Sequence, residues 1–170
     1  PGTVKLTPYD GTAEHMRGMM DAIILKGEAV SEDLVEMRVR ASKPHMEHFY
    51  TFFRSIIEYG NGGAMSDPNI RARLSTKGRF DTLTIPGIYL YGMEDVLSPV
   101  ENGYLQEDRL PNIQFFYPEE TGHQGQTDQP DLHNQIFLEL FRDGKVSRAT
   151  ADAAGVSKRR AELAHLVEQD

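Results

Sequence analysis

The 170 residues, 39% of them hydrophobic and 26% charged, predict one soluble, globular unit rather than a disordered or fibrous chain. The net charge of −8 argues against a nucleic-acid or anionic-membrane partner, because both need concentrated lysine and arginine. The absence of cysteine excludes disulfides and thiolate chemistry and is typical of a cytoplasmic protein, and no apolar run approaches the ~20 residues of a membrane span.

The first part of the chain predicts three helices after an N-terminal loop. Thr12 can cap a helix that runs to about Lys26, and Ser31 begins a second helix that ends near Lys43. A third helix is expected over His45–Tyr59, followed by glycines. Methionine and phenylalanine occupy the apolar positions, which indicates a small helical layer.

Beyond residue 63 the pattern becomes that of a parallel sheet covered by helices. A short helix over Pro68–Leu74 comes first, and Gly87–Tyr91 and Ile113–Tyr117 then read as buried strands. Each strand is followed by a helix, over Val100–Asp108 and over Pro130–Phe141. This alternation predicts an α/β fold. Two strands do not make a stable sheet alone, so further strands must come from elsewhere.

We divide the chain into a helical cap region, residues 1–62, an α/β core region, residues 63–143, and a C-terminal extension, residues 144–170. The extension is polar and alanine-rich, and we expect a weak helix or an arm over a neighbouring part. The chain starts at Pro1 rather than methionine, so we expect it to have been cut or cloned out of something longer.

An acid and a base follow the two predicted strands. Asp95 comes after the first strand and a Gly-Met-Glu turn, and His123 comes after the second strand and a short loop. Adjacent parallel strands would bring the two loops together at one edge of the sheet. A carboxylate bound to one imidazole nitrogen leaves the other nitrogen free as a general base. The alternative is a surface aspartate and an unrelated loop histidine.

From about residue 10 to residue 143, the order of motifs resembles the C-terminal half of an α/β-hydrolase that carries a helical cap. Cap helices precede a Tyr-Gly-x-x-Asp strand end with Pro99 beyond it, and a Pro-Asn strand, a Gly-His pair and a Gln-Pro-Asp-x-x-Asn-Gln helix follow. The resemblance implies that Asp95 and His123 are the acid and histidine of a Ser-His-Asp triad. The 170 residues contain no Gly-x-Ser-x-Gly elbow. We therefore expect the serine and the oxyanion hole on a separate N-terminal fragment or subunit.

Within that superfamily, the cap resembles that of the meta-cleavage product hydrolases, which split carbon–carbon bonds in dienoates formed by ring opening of catechols. The resembling stretch is Val30–Arg38, followed by Pro44 and Phe49. The resemblance implies that Arg38 binds the oxygen-rich dienoate end, and a surface salt bridge is the alternative. Arg40 should point elsewhere on the helix. One departure is Gln124, because an aromatic residue, usually tryptophan, commonly follows the Gly-His pair in that subfamily.

The leading hypothesis is a serine-type hydrolase of a carbon–carbon bond. An esterase or lactonase of the same fold, which the departure at Gln124 makes realistic, and a non-catalytic binding module remain as alternatives. The expected partners are the serine-bearing fragment, a small-molecule substrate and a higher oligomer. No cofactor and no metal are expected, since His45 and His48 are best explained by the polarity of a surface helix.

Overall fold

The computed structural model describes residues 9–51, 67–76, 78–79, 82 and 84–169. The regular elements in these ranges are, in chain order, α1 (Ala13–Ile23), a 3₁₀ turn (Gly27–Ala29), α2 (Glu32–Ser42), a 3₁₀ turn (Lys43–His45), α3 (residues 46–51), α4 (Pro68–Leu74), β1 (Gly87–Leu90), α5 (Val100–Glu107), β2 (Ile113–Phe116), α6 (Gly125–Asp128), α7 (Pro130–Asp143) and α8 (Arg148–Ala153).

The two predicted helix starts in the cap are confirmed. The backbone N–H of His15 donates to Thr12 Oγ1, and the backbone N–H of Leu34 donates to Ser31 Oγ, so both hydroxyls cap their helices. Helix α1 ends at Ile23, earlier than the predicted end at Lys26, because the backbone turns extended at residue 24. The predicted third helix is present over residues 46–51; its predicted remainder and the glycines after it lie outside the described residues.

The cap helices enclose an apolar cluster. Its buried members are Tyr9, Met16, Met20, Ile24, Val30 and Val35, with Met46 and Phe49 packed against them. The methionines of α1 therefore serve as core residues, which adapt well to irregular gaps.

Strands β1 and β2 pair in parallel, as predicted, with Gly87 opposite Ile113 and Leu90 opposite Phe116. Phe115 lies on one face of the sheet with Tyr91, Tyr117 and Leu110. Phe116 lies on the other face and packs with Ile136 of α7. Because successive side chains of a strand point to opposite faces, this arrangement buries both sides of β2.

The C-terminal extension covers the outer edge of β2. The backbone N–H of Tyr117 donates to Gly155 O at 2.8 Å, and that of Ser157 donates to Phe115 O at 2.9 Å. Val146, Ala154 and Val156 are buried against Phe116. The extension is thus part of the core region, and it leaves the far edge of β1 as the strand edge without a neighbour among the described residues.

No described helix is long and apolar enough to cross a membrane.

Candidate active site

The structure brings the predicted acid and base into contact. His123 Nδ1 lies 3.0 Å from Asp95 Oδ2 and 3.1 Å from Asp95 Oδ1. The side chain of Asp95 is 10% exposed and that of His123 is 40% exposed. Each follows its strand at the carboxyl edge of the sheet, as predicted. The aspartate is therefore enclosed, while the imidazole keeps an accessible side.

Asp95 is held in one orientation by the loop in which it lies. The backbone N–H groups of Leu97 and Ser98 both donate to Asp95 Oδ1, each at 2.9 Å. These two bonds orient the carboxylate independently of its contact with His123.

The loop of His123 is tied to the cap by a residue that the sequence analysis missed. Asp128 is 4% exposed. Its Oδ2 accepts from the backbone N–H of Gly122 and its Oδ1 accepts from that of Lys26, both at 2.8 Å. The backbone N–H of His123 also donates to Ile23 O at 3.1 Å. The position of His123 thus depends on the end of α1.

The two loops that carry Asp95 and His123 are also joined to each other. The backbone N–H of Glu94 donates to Thr121 O, and the backbone N–H of Thr121 donates to Glu94 Oε2, each at 3.0 Å. A Cβ added at Gly92 would lie 2.4 Å from Thr121 O. Only glycine permits this close approach. Glu94 is a further residue of these loops that no sequence motif indicated.

An open cleft of about 600 Å³ lies beside the Asp95–His123 pair. Ile88, Leu90 and Phe137 supply apolar parts of its wall. His133 lies buried in the same wall, with Nδ1 3.0 Å from Gln129 O. Burial lowers the pKa of His133, because the charged imidazolium is poorly solvated there.

Arg38 reaches the histidine loop but not the cleft wall. Its Nη2 donates to Gln124 Oε1 at 2.7 Å, whereas the cleft is lined by the neighbours of Gln124, His123 and Gly125. Arg40 is exposed, as expected for a residue on the other side of α2. The predicted substrate-binding arginine therefore contacts the residue that follows His123 in the chain.

No group of three histidine, aspartate or glutamate side chains within the described ranges is arranged so that it could hold a metal ion.

The elements and their order define the α/β-hydrolase fold in part, with a helical cap before two parallel strands. The meta-cleavage product hydrolase (CumD) from Pseudomonas fluorescens IP01, in a serine-to-alanine variant complexed with acetates, superposes with a TM-score of 0.61 at 22% identity. The match covers 81% of this chain and 48% of that one. An alanine-to-valine variant of CumD gives a TM-score of 0.60 at 21% identity, over 80% of this chain and 48% of that one. The predicted fold class is confirmed.

Curated relatives carry the name 2-hydroxy-6-oxononadienedioate/2-hydroxy-6-oxononatrienedioate hydrolase. The protein from a Pseudomonas species is 23% identical over 128 residues, 75% of this chain and 41% of the relative. That from Paraburkholderia phymatum is 22% identical over 132 residues, 78% of this chain and 42% of the relative. The chain thus spans about two fifths of their length. The resemblance to meta-cleavage product hydrolases is confirmed, although no protein-family model matches the chain.

Proposed function

We propose that this chain forms the cap and C-terminal half of a serine-type hydrolase that cleaves a carbon–carbon bond in a ring-fission dienoate. The observation that carries the proposal is the contact of 3.0 Å between His123 Nδ1 and Asp95 Oδ2 beside an open cleft. The names of the curated relatives support the substrate class.

In this proposal His123 moves the protons of the reaction. Its Nδ1–H donates to Asp95, so Nε2 is the acceptor in the neutral ring. Nε2 takes the proton of the attacking serine or water and later delivers a proton to the departing carbon. Hydrolysis then places a hydroxyl on the acyl carbon and a hydrogen on the carbon that leaves. Asp95 stabilises the imidazolium that forms between the two transfers.

We place the nucleophile and the oxyanion hole on a further N-terminal part of the same fold, whether a fragment or a subunit. The chain has no Gly-x-Ser-x-Gly elbow, and it spans about two fifths of its curated relatives. The open edge of β1 could accept a parallel strand. Phe141 of α7 is 83% exposed, and Leu138 on the same helix is 59% exposed, which is typical of a surface that a partner covers.

Arg38 is proposed to bind the anionic end of the substrate. Its guanidinium is half-buried, lies beside the loop of His123 and is paired with an amide rather than a carboxylate. Arginine suits this role because its planar group can form two parallel hydrogen bonds to a carboxylate or an enolate–carboxylate pair.

A cytoplasmic location, as predicted from the absence of cysteine, completes the proposal.

The experiment pairs two substrates, a 2-hydroxy-6-oxo-dienoate and a neutral ester, with the protein as isolated from its source. We expect turnover of the dienoate to fall about 10³-fold or more in His123→Ala. Arg38→Met should raise KM for the dienoate, and Arg40→Met, the matched exposed control, should not. Rapid ester turnover with an inert dienoate would contradict the carbon–carbon assignment.

An esterase or lactonase is the second candidate function, and the observation that favours it is Gln124. A polar side chain beside His123 shapes the site differently from the aromatic residue expected there. The same paired assay separates the two hydrolases. If His123→Ala leaves every measured property unchanged, the protein is a binding module instead.

The proposed partner is tested independently of the substrate. Intact mass spectrometry of the isolated protein should detect a polypeptide segment with a Gly-x-Ser-x-Gly sequence beyond the 170 residues, either fused or associated. A stable, active species that contains only these residues would overturn the proposal, because its sheet would lack most strands of the fold.

A further inference from the structure

The contact between Arg38 and Gln124 joins the cap to the histidine loop. Arg38 Nη2 donates to Gln124 Oε1 at 2.7 Å across 86 residues of sequence. A guanidinium only donates, so the carboxamide must turn its oxygen toward Arg38. Gln124 is flanked by His123 and Gly125, and both line the cleft. The contact therefore places a cation on the side chain of the residue that follows the proposed general base.

Arg38 differs from other half-buried arginines in its choice of partner. Arg17 in the same cap pairs with Glu32 at 2.6 Å, and Arg148 in the extension pairs with Glu162 at 2.6 Å. No carboxylate within the described ranges lies at ion-pair distance from Arg38, and its Nε is buried without a hydrogen-bond partner. Its positive charge is thus left uncompensated by any described side chain.

We infer that Gln124 is a positioning residue that holds Arg38 ready for an anionic substrate end. A neutral amide orders the long arginine side chain without cancelling its charge. A substrate carboxylate or enolate oxygen can then replace Oε1, because a charge-assisted hydrogen bond is stronger than one to a neutral acceptor. The inference rests on the proposed function, since it assumes that the site takes an anionic substrate.

The test is Gln124→Glu, which keeps the size of the side chain and gives Arg38 a permanent counter-ion. KM for the anionic substrate should rise about 10-fold or more, because the substrate must now break an ion pair. The rise in KM should exceed any fall in kcat, since the substituted side chain contacts Arg38 and not the reacting atoms. KM for a neutral ester should rise much less than KM for the anionic substrate, and a denaturant unfolding curve shows separately that the variant is folded.

Combining Gln124→Glu with Arg38→Met tests whether Gln124 acts through Arg38. If Gln124 acts through Arg38, Gln124→Glu has no further effect on KM once Arg38 is methionine. An equal KM rise in that background, an equal rise for the neutral ester, or no rise at all would each overturn the inference.

The test remains informative if the dienoate is not the substrate. A pair of esters that differ only in a free or methylated terminal carboxylate reports on the same cation. Discrimination between these esters that depends on Gln124 would support the inference while the carbon–carbon proposal fails.

Discussion

Replacement of Asp128 by asparagine should both destabilise the protein and slow the reaction. Asp128 is buried, and its two oxygens accept from the backbone N–H groups of Lys26 and Gly122, both at 2.8 Å. Asparagine has the same shape but only one accepting oxygen, so its NH₂ group must face one of these two donors. The variant therefore breaks either the bond to the cap or the bond to the histidine loop.

The magnitude follows from these two bonds. A hydrogen bond to a charged group contributes about 1.5–3 kcal/mol, and a buried N–H left unpaired costs about 1–3 kcal/mol. We expect the free energy of unfolding to fall by about 3 kcal/mol. The lost bond also loosens the loop of His123, whose backbone N–H donates to Ile23 O. The resulting small displacement of the imidazole should lower kcat by about 10²-fold.

Denaturant unfolding and steady-state kinetics of the isolated protein measure the two effects. Asp131→Asn is the matched control, because Asp131 is exposed in the first turn of α7 and makes no side-chain hydrogen bond within the described ranges. It should change stability by no more than about 0.5 kcal/mol. An Asp128→Asn protein with wild-type stability and kcat would refute the assignment of Asp128 as the tie between cap and loop.

Three further predictions concern the same framework. Asp95→Asn should lower kcat about 10³- to 10⁴-fold with little change in stability, because the imidazolium of His123 loses its counter-ion; an active variant in steady-state assays would contradict the pairing. Gly92→Ala should destabilise the protein in thermal unfolding and lower kcat, since a Cβ would lie 2.4 Å from Thr121 O, and wild-type values would show that the loops can separate freely. Burial acts to raise the pKa of Glu139, but hydrogen bonds from neighbouring side chains and a backbone N–H outweigh it and hold the pKa below its usual range. Its stabilisation should therefore be present above about pH 4.5 and be lost as the pH falls through the lowered pKa. Glu139→Gln should be less stable than the wild type at pH 7, with a gap that narrows toward pH 3 in acid unfolding curves; a constant gap would exclude this linkage.

The sequence predicted those elements that depend on contacts between residues close together in the chain. Ser31 and Thr12 cap helices because their hydroxyls reach an N–H three residues on, and that geometry needs no distant partner. The end of α1 could not be predicted in this way. The backbone of residues 23–26 bonds to the loop of His123 and to Asp128, far away in the chain, and these contacts exist only in the folded protein.

The candidate site likewise has residues that the sequence predicts and residues whose roles depend on distant contacts. Asp95 and His123 could be brought together from sequence because parallel strands end at one edge of the sheet. The roles of Gln124 and Asp128 depend on how the cap lies over the histidine loop, which no spacing in the sequence specifies. The pairing of the C-terminal extension with β2 was missed for a related reason, since Gly155 and Val156 resemble loop residues until the strand edge is present.

The most direct test of the central claim is labelling of the isolated protein with a fluorophosphonate, which reacts with serines that a histidine activates. We predict that the label modifies one serine in a polypeptide segment beyond these 170 residues. We also predict that His123→Ala lowers the labelling rate about 10³-fold or more. Labelling of a serine within the 170 residues, or an unchanged rate in His123→Ala, would contradict the account.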